Sequence, residues 1–195
     1  MSRFDEVRKA IQKVAADLGR AVYQAEEDQG FVYDQVVWVG HSLGSVIAYD
    51  TVNTLVNEDL ALTRRLRVAE RTTSLLTVAS PLDKTAFLFR SQRPDPLDVR
   101  EGLASARQPL IVDYALRPDR WINLHSPQDW IGGALAYYDA RPEPGAPADV
   151  QRLWRQRRVR NHRDPRARTP LAAHVELFEN ELFGRTLFRV LSGGR

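Results

Sequence analysis

The most constraining stretch of this chain is a short apolar run that ends on a serine turn. Val36-Val37-Trp38-Val39 is rich in β-branched residues and stops at Gly40, which predicts a strand buried on both faces. His41, Ser42, Leu43 and Gly44 follow, so residues 40–44 read G-x-S-x-G. Val46, Ile47, Tyr49, Val52, Leu55 and Val56 then recur with the spacing of a helix. A strand that becomes a helix across one serine must turn sharply, so the neighbours of the turn have to be small. Gly40 and Gly44, with Ser45, are expected to supply that room. The turn aims the Ser42 hydroxyl away from the sheet. The helix N-terminus beneath it favours developing negative charge, with the Leu43 N–H placed as an oxyanion donor.

The rest of the chain supplies elements for a sheet around this turn. Phe4, Val7, Ile11, Val14, Leu18 and Val22 form one face of an N-terminal amphipathic helix. Ser2 and Asp5 suit its N-cap, and Gly30 suits its stop. Residues 74–79 (SLLTVA) and 120–124 (RWINL) predict two more buried strands, each followed by Ser-Pro. The charged alternation of residues 155–161 predicts an edge strand, and His174 to Leu191 a final helix. Strands alternating with helices imply an α/β fold, a parallel sheet with helices on both faces. Active groups in such sheets gather at the carboxyl ends of the strands. The insert over residues 87–109 is placed to act as a lid or as a plain surface excursion.

At 195 residues, 43% hydrophobic and 27% charged, the chain suits one ordinary domain over residues 1–195. The absence of cysteine excludes disulfides and thiolate chemistry. No run is long and apolar enough to span a membrane, and the charged start does not resemble a signal peptide, so a cytoplasmic location is expected. The net charge of +3 conceals an arginine block, Arg152 to Arg168. Arginine clusters bind phosphates of nucleic acids or anionic lipids. This one contains Asp164 and Pro165 and has no interleaved aromatics, so it is read as a solvated surface, with no nucleic-acid partner and peripheral contact with an anionic membrane held open.

A serine hydroxyl needs a base, and the base needs an acid to orient it. Of the four histidines, His41 sits inside the turn and points away from the serine, and His125 closes a predicted strand. His174 follows a long loop and opens the last helix, which makes it the preferred base, with His162 next. Asp129 and Asp83 both follow predicted strands and both fit the order Ser-Asp-His. Asp129 is preferred. Trp130, Tyr137 and Tyr138 are candidates for an acyl pocket, although buried aromatics more often form core.

The segment VVWVGHSLGSVIAYD resembles the nucleophile elbow of lipase- and esterase-type α/β-hydrolases. SLLTVASPLDKTAFLF, WINLHSPQDWIGGALAYYD and AAHVELFENELF resemble the later strands, acid turn and histidine segment of bacterial lipase-like members. The resemblance covers most of the chain from about residue 31 onward. It implies hydrolysis of a small-molecule or lipid carboxylic ester through an acyl-enzyme, with Ser42, Asp129 and His174 as a triad and no metal or organic cofactor. An acyltransferase or thioesterase on the same residues, and a degenerate module used only for binding, are the alternatives. The family pattern places several strands and a second oxyanion donor before the elbow, whereas a single helix precedes it here. The expectation is therefore an N-terminally truncated version of the fold, or one whose sheet is completed by a partner chain. Loss of one oxyanion donor typically costs about 10²–10³ in rate.

Overall fold

The computed structural model describes residues 3–25, 29–63, 65–85, 110, 113–170 and 172–193. Helix α1 (Arg3–Tyr23) leads to strand β1 (Val36–His41) and helix α2 (Leu43–Ala61). A short α3 (Val68–Arg71) enters β2 (Thr72–Val78), and β3 (Arg120–His125) follows a 3-10 turn at Tyr114–Leu116. Helix α4 (Ala148–Arg157), β4 (Val159–Arg163), α5 (Ala173–Glu179) and α6 (Glu181–Leu191) complete the described elements. The strands form one four-stranded, all-parallel sheet in the order β1-β2-β3-β4. The predicted lid lies outside the described residues, as does the Ser2 cap.

Alternating side chains of the strands feed two cores, one on each face of the sheet. Leu75, Trp121 and Val159 join Tyr49, Val52, Leu55 and Val56 of α2 on one face. Leu76, Val78, Ile122 and Leu124 meet Leu177 of α5 and Val190 of α6 on the other. Central strands buried on both faces read as unbroken apolar runs, which is why β2 and β3 were legible.

Four expectations need correction. Strand β1 is not buried on both faces. It forms one edge of the sheet, its first three residues are half-buried and Val39 is 40% exposed. The fourth strand is shifted: Arg155 to Arg157 end α4, and β4 begins at Val159. Its place at the opposite edge is as expected. The last helix is two helices, because Asn180 takes an extended backbone (φ −73°, ψ 154°) between α5 and α6. Finally, α1 ends at Tyr23, well before Gly30.

Helix α1 packs on α2 through the face opposite its apolar stripe. Ala16 and Tyr23 are buried, Arg20 forms a two-pronged bond to Glu58 (2.8 and 2.7 Å), and Gln12 donates to Asp50. The Tyr23 hydroxyl lies 2.6 Å from Thr72 Oγ1 and accepts from Trp38 Nε1, which ties α1 to the start of β2 and to β1. Val7, Ile11, Val14 and Leu18 remain exposed. Among the described residues no strand pairs with the outer edge of β1.

Candidate active site

The turn after β1 carries backbone strain. Ser42 has φ 55° and ψ −131°, outside the regions that side chains other than glycine normally adopt. The conformation is held from several sides. Ser42 N–H donates to the Val78 carbonyl at the end of β2, and its own carbonyl accepts from Ser45 N–H (3.0 Å) and the Ser45 hydroxyl (2.6 Å). The Ser45 hydroxyl also lies 2.7 Å from that of Ser80, the first residue beyond the β2 exit turn. Gly40 makes the turn possible: a Cβ there would stand 2.4 Å from Ser45 Cα and 2.7 Å from the Gly44 carbonyl oxygen. Gly44 plays no such role, because a Cβ there would meet nothing within 4 Å. Leu43 opens α2, so its N–H is among the helix-end donors without an intrahelical acceptor.

Three of the expected residues are joined in one hydrogen-bonded chain. His174 Nε2 lies 2.8 Å from Ser42 Oγ, and His174 Nδ1 lies 3.0 Å from each carboxylate oxygen of Asp129. Of the rings available only His174 makes this contact. His162 is exposed on β4, and His125 makes no such bond at the end of β3. With Nδ1–H donating to the carboxylate, Nε2 is left as an acceptor facing the hydroxyl, the tautomer in which an imidazole can take a serine proton.

Asp129 is fully buried at its side chain and is satisfied locally. Its Oδ1 accepts from Ile131 N–H (2.8 Å) and Gly132 N–H (3.0 Å), so the carboxylate is fixed before the imidazole reaches it. The turn that carries it is fastened to the sheet. Ser126 Oγ donates to the Ala167 carbonyl, and Gly133 N–H donates to Ser80. Asn123 of β3 donates to the Gly133 carbonyl and to Asn161 Oδ1, which accepts Leu135 N–H. Asp83, the other candidate acid, accepts Tyr137 N–H instead, and burial raises its pKa above the ordinary value.

His41 was set aside as a base, and it makes no bond to the Ser42 hydroxyl. It does touch the base. Its Nε2 lies 3.0 Å from the His174 carbonyl oxygen, and its ring centroid is 5.1 Å from those of His174 and Phe178. Nothing in the spacing signals this, since the contact spans the sequence from the turn to α5. Of the three acyl-pocket aromatics, Tyr138 is core, edge-on to Tyr49 and tilted against Trp121, while Trp130 and Tyr137 lie at the surface.

His125 supplies a pH-dependent load. Burial chiefly, then Arg163 and His162, lowers its pKa below the ordinary 6.5. The unfolded chain therefore binds this proton more readily, and the stability tied to neutral His125 is present above about pH 6.5 and lost as pH falls through the lower folded value. Chemical denaturation at several pH values is expected to show that loss, and His125→Gln is expected to flatten it. An unchanged slope would be inconsistent with this assignment.

Among the described residues no helix is long and apolar enough to cross a membrane, and no group of three or more His, Asp or Glu side chains is arranged to hold a metal ion. No family model, curated protein or solved structure matches the chain.

Proposed function

We propose that this chain is a serine hydrolase of carboxylic esters, built as an α/β-hydrolase. The observation that carries the reading is the unbroken chain from Asp129 through His174 to a serine held at positive φ on a strand-to-helix turn. Ser42 attacks the acyl carbonyl while His174 Nε2 takes its proton. Asp129 keeps the imidazole in the required tautomer and stabilises its cation. The Leu43 N–H, at the positive end of α2, donates to the oxyanion. His174 then returns the proton to the leaving alkoxide, and water repeats the sequence to release the acid. No step calls for a metal or an organic cofactor.

The neighbours of the three residues suit an ester with an apolar acyl part. Leu43, Trp130 and Val175 each adjoin one of them in the chain, Ile131 lies two residues beyond Asp129, and all four are more than half exposed. Exposed large apolar side chains that concentrate around one site favour an apolar ligand over a polar one. Transfer of the acyl group to an alcohol or thiol acceptor uses the same residues, and competition between water and such acceptors separates the two outcomes.

A fluorophosphonate probe tests the reading directly, because it reports an activated serine and not merely an exposed one. The purified chain is expected to label, and Ser42→Ala and His174→Ala are expected not to. Labelling that survives Ser42→Ala, or a folded wild-type chain that never labels, would overturn it.

A further inference from the structure

The arginine block does not form one surface. Arg157 and Arg158 at the end of α4 pair with Asp119 and Asp139. Arg163 and Arg166 lie elsewhere, at the exit of β4, where α6 brings Arg185 and Arg189 up against them. These four arginines line a hollow of about 310 Å³, together with Leu182 and Thr186 among others. Arg185 and Arg189 stand one helical turn apart, so both face it. An adjoining hollow shares Arg163 and adds Arg168.

Two carboxylates lie beside the four arginines of the main hollow, and both are already engaged. Glu181 binds Arg166 (2.6 Å) and Arg185 (2.8 Å). Asp164 is buried, and it accepts from the main-chain N–H of Arg166 (2.8 Å) and from Asn180 Nδ2 (3.0 Å). Arg163 and Arg189 have no ion pair among the described residues. Four positive and two negative groups leave a charge of +2 around one concavity. Unpaired like charges held together in this way repel each other, a cost that a bound anion removes.

We propose that this hollow binds a phosphate monoester group. The charge fits: such a group carries about −1.5 to −2 at neutral pH and offers three acceptor oxygens. The guanidinium fork matches phosphate oxygens in pairs and gives up its hydration more readily than an ammonium. The placement fits as well. The hollow opens at the exit of β4, the same end of the sheet at which β1 delivers Ser42, three strands away, which is roughly 14 Å at ordinary strand spacing. The phosphate has two sources, a soluble monoester or the headgroup of a lipid such as phosphatidic acid. The site stands independently of the ester-hydrolase reading, since binding is measured without turnover.

The test is titration calorimetry of the whole chain with inorganic phosphate and with glycerol 3-phosphate, at constant pH and ionic strength. Co-sedimentation with phosphatidylcholine vesicles, with and without phosphatidic acid, forms the second arm. Both are repeated on Arg163→Gln/Arg189→Gln and on a control of equal charge loss on α4, Arg152→Gln/Arg155→Gln. All four side chains are exposed, so the fold is expected to persist, and circular dichroism checks it. Saturable binding that the first variant weakens by about tenfold or more, with the control within about twofold of wild type, supports the site. Such binding in the calorimeter identifies soluble monoesters as a source, and in the vesicle arm alone it identifies the lipid headgroup. Absence of binding in both arms, or equal loss in both variants, overturns the proposal.

Discussion

Ser42→Ala is expected to lower kcat for ester hydrolysis by about 10⁴–10⁶, with little change in KM. His174→Ala is expected to fall in the same range, and the double variant no lower than the worse single variant. Residues that act as one unit are not additive: once the nucleophile is gone, a base aimed at it has nothing to activate. Asp129→Asn is expected to cost less, because Ser42 and His174 keep their contact while the tautomer is no longer enforced. Any residual rate in the double variant is assigned to binding and the Leu43 donor. Steady-state kinetics on a short-chain chromogenic ester decides the matter. Single-variant losses that multiply in the double variant would show that the two residues do not work together.

A large effect on stability is expected from a single methyl group at position 40. Gly40→Ala places a Cβ 2.4 Å from Ser45 Cα and 2.7 Å from both the Ser45 nitrogen and the Gly44 oxygen, all of them backbone atoms. Backbone cannot rotate aside as a side chain can, so β1 and α2 must separate at the turn they share. Overpacking of this kind costs about 1–3 kcal/mol and occasionally more. For a domain of this size that is a fall in Tm of roughly 2–12 °C. Gly44→Ala is expected to have the opposite sign. Its new methyl meets nothing within 4 Å inside a helix, and replacing helical glycine with alanine gains up to about 1 kcal/mol. Thermal unfolding of the two variants side by side gives the answer, and a Gly40→Ala variant as stable as wild type would refute the steric account. Gly40→Ala is also expected to lose probe labelling while still folded, because Ser42 takes its position from the same turn.

The α1 stripe shows where periodicity stops being informative. Val7, Ile11, Val14 and Leu18 do share one face, as their spacing requires. Which neighbour covers a face is a separate question, and the described partner of α1, helix α2, takes the other side through Ala16 and Tyr23, fastened by Arg20–Glu58. The same limit explains β1. Its β-branched run suits a central strand as well as a half-covered edge, and the edge position follows instead from the single helix that precedes it in the chain.

Local chemistry determined the strand–serine–helix turn, the parallel α/β sheet, and a short roster of serine, histidines and aspartates at strand ends, because each depends on residues adjacent in the chain. Tertiary structure alone decided among them. Asp129 serves His174, and Asp83 does not, because the turn at residues 126–133 is bonded to the sheet through Ser80, Asn123 and Ala167. Gly40 and not Gly44 is sterically required, because α2 folds back over one of them only. His41 meets His174, and Arg163 lines one hollow with Arg189, across long sequence separations. Contacts of that kind are set by how whole elements are placed, and no local pattern of residues encodes them.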